Sequence, residues 1–166
     1  MFDENRLPQE IGELLKTKGL WLATAESCTG GLLGHLITSE AGSSEFYLGG
    51  FITYSNVSKE RWLGVSPATL KQYGAVSRET VLEMAHGIRN AFGKKLQPDK
   101  IIGISISGIA GPGGGSLEKP LGTVWIGISC TTGDDAFSYH FEGDRGEIKM
   151  QSAKNALELL LNYLQQ

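Results

Sequence analysis

The sequence predicts an α/β domain, a mixed sheet held between two layers of helices as a three-layer α/β/α sandwich. Three observations predict it. Helical and strand-like segments alternate along most of the 166 residues. The segment 100–107 carries Ile101, Ile102, Ile104 and Ile106 among small residues, the pattern of a central strand covered on both faces. A late pair of β-rich segments, 123–130 and 136–141, flanks Thr131-Thr132-Gly133-Asp134, which reads as a hairpin turn, so part of the sheet is antiparallel.

Each element has its own local reason. Residues 8–18 have helical spacing, with Ile11, Leu14 and Leu15 on one face and Gly19 at the stop. The apolar run 20–25 is a strand. Residues 29–39 form a helix with Leu32, Leu33, Leu36 and Ile37 as its buried stripe. Segment 46–54 is aromatic and β-branched, hence a strand, and Gly49-Gly50 marks a bulge or a close approach. Two short helices follow, one from near Asn56 that includes Lys59, one from Ser66-Pro67. Ser77 caps a longer helix to about Phe92, with Val81, Met84, Ala85 and Ile88 turned inward. The last helix spans 145–164, and Asp144 and Glu147 have capping-box spacing at its start.

Composition narrows the function. Hydrophobic residues are 40%, charged residues 20% and the net charge is −3. That mix folds, and residues 1–166 are read as a single domain. Without a basic excess, nucleic acid is not an expected partner. No apolar run approaches the ~20 residues that span a bilayer, and the acidic start Met1-Phe2-Asp3-Glu4 is unlike a signal peptide. A soluble, cytoplasmic protein with no membrane partner is expected. Two cysteines, Cys28 and Cys130, make no disulfide scaffold. His35, His86 and His140 lack metal-ligand spacing, so no metal site is expected. Glycine is the outlier: 23 residues, about 14% against an ordinary ~7%, gathered in a few loops.

Four constellations could carry chemistry. Ala25-Glu26-Ser27-Cys28-Thr29-Gly30-Gly31 lies between a strand and a helix. Its glycines leave backbone N–H groups open at a helix start, where negative charge is favoured. Ser27, Cys28 and Thr29 are three possible nucleophiles there, and a simple tight capped turn is the alternative. Ser107-Gly108-Ile109-Ala110-Gly111-Pro112-Gly113-Gly114 follows the most apolar strand and lets backbone approach a ligand closely. It is neither a Walker loop nor the GxGxxG fingerprint. Lys59 is a lone cation near a strand end, just after Tyr54-Ser55-Asn56. Such a lysine is commonly a surface residue, but among apolar and hydroxyl groups it can lose its proton and act as a base. Arg145, at a helix N-terminus, is placed to bind phosphate or carboxylate, or to pair with Asp144. Ser116 and Lys119 match SxxK, but between glycines and Pro120 no helix brings them together.

Three of these motifs, at 25–31, at Tyr54-Ser55-Asn56 with Lys59, and at 107–114, resemble the CinA C-terminal domain family, in that order and over nearly the whole chain. That family includes nicotinamide mononucleotide deamidases. The resemblance implies hydrolysis of a carboxamide to a carboxylate and ammonia, with no cofactor, by a serine and a lysine that match Ser27 and Lys59. It implies a homodimer or larger homo-oligomer. Ser107 stands where the family's third motif begins. The mechanism to expect has Ser27 attack the amide carbon while neutral Lys59 takes its proton. Backbone N–H groups at Thr29, Gly30 and Gly31, or in the loop from Gly108 through Gly111 and Gly113, would hold the oxyanion. Arg145 and the glycine loop would grip the 5′-phosphate. Tyr54 would pack on the pyridinium, and Glu26 would orient Lys59 or face the ring's charge. Cys28 is the rival nucleophile. A nucleotide-binding module without turnover, or an amidase for another small amide, are the competing functions.

Overall fold

The computed structural model describes residues 6–94 and 96–166. The acidic start read against a signal peptide falls at residues 1–4, outside them. The order is α1 (Leu7–Lys18), β1 (Trp21–Glu26), α2 (Leu32–Thr38), β2 (Tyr47–Ile52), α3 (Asn56–Leu63), α4 (Pro67–Tyr73), α5 (Arg78–Gly93), β3 (Ile101–Gly108), β4 (Thr123–Cys130), β5 (Gly133–His140) and α6 (Arg145–Leu164). Short 3-10 turns sit at Ser43–Glu45 and Pro98–Lys100.

The strands form one sheet in the order β2-β1-β3-β4-β5. The pairs β1–β2 and β1–β3 are parallel, and β3–β4 and β4–β5 are antiparallel. On one face, Ile102, Ile104, Ile106, Val124, Ile126 and Ile128 meet Ile11 and Leu15 of α1, Leu33 and Ile37 of α2, and Leu157 and Leu160 of α6. On the other, Ala23, Ala25 and Ile101 meet Leu63 of α3, Leu70 of α4, and Met84 and Ile88 of α5. The expected α/β/α sandwich with a mixed sheet is therefore the observed one. The second face is lined by small residues because α5 lies close against it. A Cβ on Gly103 would stand 2.2 Å from the Ala85 carbonyl oxygen, and Ser105 Oγ donates to the Val81 carbonyl at 2.6 Å.

Three boundaries differ from the sequence reading by two residues or more. β5 begins at Gly133, because the hairpin turn is only Thr131-Thr132. β2 ends at Ile52, and its carbonyls beyond that point turn toward a side chain instead of a strand. α2 begins at Leu32, because Gly30 and Gly31 hold positive φ (63° and 100°), a left-handed backbone that other residues resist. In β2 the register skips Leu48, which bulges beside Gly49, and Gly50 lies so close to Thr24 that a Cβ would be 2.1 Å from its Oγ1. The capping box of α6 is present as read, with Asp144 Oδ1 accepting from the Glu147 N–H and Glu147 Oε2 from the Asp144 N–H.

This topology positions the site. After β1 the chain moves outward to β2, then returns past β1 to β3 on its other side. A crevice therefore opens where β1's neighbours diverge, beyond the carboxyl ends of the parallel strands, the usual ligand position in open α/β sheets. Ser27 follows β1, Thr53 and Tyr54 follow β2, and Ser107 and Gly108 close β3.

Candidate active site

The backbone of Ser27 is held on both sides of its Cα. Its N–H donates to the Ile106 carbonyl at 2.9 Å, and its carbonyl accepts from the Gly30 N–H at 3.1 Å. The side chain, 7% exposed, opens on a cavity of about 280 Å³.

Lys59 reaches the same place from α3. Ser55 caps this helix by accepting from the Ser58 N–H at 3.2 Å. Its inward face is Lys59 and, one turn on, Leu63, so the lysine occupies a position where an apolar side chain would ordinarily pack. Lys59 is 1% exposed. Its Nζ donates to Ser27 Oγ at 2.9 Å, to the Thr53 carbonyl at 2.8 Å and to the Tyr54 carbonyl at 3.4 Å. Burial lowers its pKa from 10.5 to about 8, against a weaker opposite influence from Cys28. With its third proton gone, the amine keeps two N–H groups for the two carbonyls and turns its lone pair on the serine hydroxyl.

Eight of the predicted residues line the cavity: Ser27, Lys59, Tyr54, Ser107, Gly108, Gly111, Gly113 and Arg145. Arg145 spans its mouth, with Nη2 donating to Tyr54 Oη at 2.8 Å and Nη1 to the Gly111 carbonyl. Its expected alternative partner, Asp144, is engaged instead as the helix cap. Ser107 Oγ donates to the Ala75 carbonyl at 2.7 Å. Ala75 and Val76, between α4 and α5, also form the wall. They carry no reactive group, and nothing in the sequence marks them.

Glu26, Thr29, Gly30 and Gly31 do not line it. The Gly30 N–H bonds to Ser27, and the Gly31 N–H bonds to Glu26 Oε2 at 2.9 Å. Thr29 Oγ1 donates to the same carboxylate oxygen at 2.7 Å. The glycine N–H groups expected to meet an oxyanion are thus already engaged, and Glu26 contacts neither Lys59 nor the cavity. Cys28 does line the cavity, yet burial raises its thiol to about 11, which keeps it protonated near neutral pH. Among the described residues, no three His, Cys, Asp or Glu side chains gather as a metal site, and no helix is long and apolar enough to cross a membrane.

A switch-point crevice that holds a buried amine against a serine hydroxyl marks an α/β domain equipped for nucleophilic chemistry. The chain belongs to the CinA C-terminal domain family, whose model matches residues 4–164. It is 48% identical to the nicotinamide-nucleotide amidohydrolase PncC of Enterobacter agglomerans, over 95% of this chain and 93% of that protein. It is also 48% identical to a putative competence-damage inducible protein of Moorella thermoacetica, over 98% of this chain but only 38% of that longer protein. Among solved structures, the CinA superfamily protein of Klebsiella pneumoniae 700603 superposes with a TM-score of 0.90 at 34% identity, each chain 99% covered.

Proposed function

We propose that this chain is a nicotinamide-nucleotide amidase that converts nicotinamide mononucleotide to nicotinic acid mononucleotide and ammonia. The observation that carries this reading is the 2.9 Å contact between Lys59 Nζ and Ser27 Oγ in a buried setting. The name of the Enterobacter relative, similar over nearly its full length, supplies the substrate class.

In this reading Ser27 Oγ attacks the carboxamide carbon and Lys59 takes its proton. The bias needed, a fall from 10.5 to about 8, is what burial gives this lysine. A pyridinium in the cavity would push it further the same way. Because the N–H groups of Gly30 and Gly31 are engaged, as is that of Ile109, and Pro112 has none, the oxyanion donors are assigned to the backbone N–H groups of Ala110, Gly111, Gly113 and Gly114. Lys59 then hands its proton to the departing nitrogen, the C–N bond breaks, and ammonia leaves an ester between Ser27 and the nicotinoyl carbon. Water, deprotonated by Lys59, cleaves that ester. Arg145, at the mouth, takes the 5′-phosphate, and Tyr54 packs on the cationic ring.

A nucleotide-binding module without turnover has no use for a lysine buried beside a serine at this energetic cost. The family resemblance further supports one amidase domain over residues 1–166, in the cytoplasm, as a homodimer or larger homo-oligomer. The test is ammonia release from nicotinamide mononucleotide, free nicotinamide and the dinucleotide. The mononucleotide should be turned over best. Activity confined to free nicotinamide would overturn the assignment.

A further inference from the structure

Glu26 is a carboxylate with almost no access to water, 2% exposed, and it faces no basic side chain in its hydrogen bonds. Four donors converge on it instead. Oε2 accepts from Thr29 Oγ1 at 2.7 Å, the Gly31 N–H at 2.9 Å and the Leu33 N–H at 3.1 Å, and Oε1 accepts from the Gly34 N–H at 2.8 Å. The last three are N–H groups that α2 leaves free at its start, and no residue of the ordinary capping position serves them. The cap comes from five to eight residues upstream, across the whole Ser27–Gly31 turn.

The consequence falls on Ser27. It follows Glu26 directly, and the same carboxylate holds the far end of the turn at Thr29 and Gly31. The turn is therefore closed at both ends by one rigid group, with Ser27 inside it. Within the loop, the Gly30 N–H to Ser27 carbonyl bond completes the clamp.

We propose that Glu26 is a positioning residue for the Ser27 nucleophile: its buried carboxylate fixes the turn so that Oγ stays within reach of Lys59. This rests on the amidase reading. Charge-assisted hydrogen bonds to a carboxylate are the strong kind, and an ångström of misplacement at a reacting atom costs about 10²-fold in rate.

The test compares wild type with Glu26→Gln, Glu26→Ala and Thr29→Val. Ammonia release is measured with nicotinamide mononucleotide, and Ser27 labelling with a fluorophosphonate. Gln keeps one acceptor oxygen but sets an NH2 against a donor, so kcat should fall about tenfold. Ala should lose about 10²-fold. Thr29→Val removes only the 2.7 Å bond, which keeps the test decisive should Glu26→Ala fail to fold, and its loss should be several-fold. KM should stay within about twofold, because neither Glu26 nor Thr29 lines the cavity. Labelling rates should follow the same order. Folded Glu26→Gln and Thr29→Val proteins with wild-type kcat and labelling would overturn the proposal, as would a change in thermal stability alone. A wild-type protein that labels but releases no ammonia would sink the amidase reading instead, and the labelling order would still decide the role of Glu26.

Discussion

Lys59 Nζ lies 2.9 Å from Ser27 Oγ, although the two residues are thirty-two positions apart in the chain. Each is delivered by the residues just after a parallel strand, β1 for Ser27 and β2, through the first turn of α3, for Lys59. Removing either partner should stop the chemistry and spare the binding. Ser27→Ala should release no measurable ammonia while titration calorimetry finds nicotinamide mononucleotide bound within about threefold of wild type. Lys59→Arg should be equally inactive, since a guanidinium does not give up its proton. Turnover by Ser27→Ala at a comparable rate would remove the serine from the mechanism.

The pH profile follows from the lowered lysine. The base works only when neutral, so kcat/KM should rise tenfold per pH unit and level off near pH 8. The profile of kcat should level off lower, because bound substrate brings a positive ring near the amine. A profile flat from pH 6 to 10 contradicts this.

The same lysine shapes stability. Its folded pKa of about 8 is below the unfolded 10.5, so between those values the unfolded chain binds the extra proton. Stability must therefore rise with pH across that window, and the full cost applies below pH 8. The upper bound is roughly 3 kcal/mol. Urea unfolding of wild type and Lys59→Met at several pH values checks it. The stability of wild type relative to the variant should climb from pH 8 to 10.5 and be level below. Parallel curves would mean that the amine is not desolvated.

Cys28 borders the cavity but is held protonated, its thiol raised to about 11 by burial. Cys28→Ala should keep activity within a few-fold, and iodoacetamide at pH 7.5 should leave the wild type active. Rapid inactivation that substrate prevents would restore the thiol as a rival nucleophile.

Arg145 ties Tyr54 to the 111 loop at the cavity mouth. Arg145→Ala should raise KM for nicotinamide mononucleotide at least tenfold, yet leave kcat/KM for the riboside without its phosphate little changed. Equal losses on both substrates would place its role elsewhere.

Much of this fold could be read from residue patterns, because its helices and strands carry strong local signals. The last helix is the clearest: Asp144 and Glu147 announce its start, and the structure begins it at Arg145. The errors arose where distant groups decide. Thr29 to Gly31 have the look of a helix start, but the upstream Glu26 carboxylate and two positive-φ glycines make them a turn. In α3, the apolar Val57 and Trp62 are 71% and 57% exposed, while Lys59 goes inside. Burial of a lysine is set by the crevice it enters, not by its neighbours in sequence. The strand order and the Arg145–Tyr54 bond, ninety-one residues apart, are likewise properties of the assembled sheet.

The most direct test of the Ser27–Lys59 account is an NMR titration of the Lys59 side-chain nitrogen in the unliganded protein, assigned by comparison with Lys59→Met. The midpoint should lie near pH 8, as burial of the amine beside Ser27 requires. A midpoint near 10.5 would contradict it.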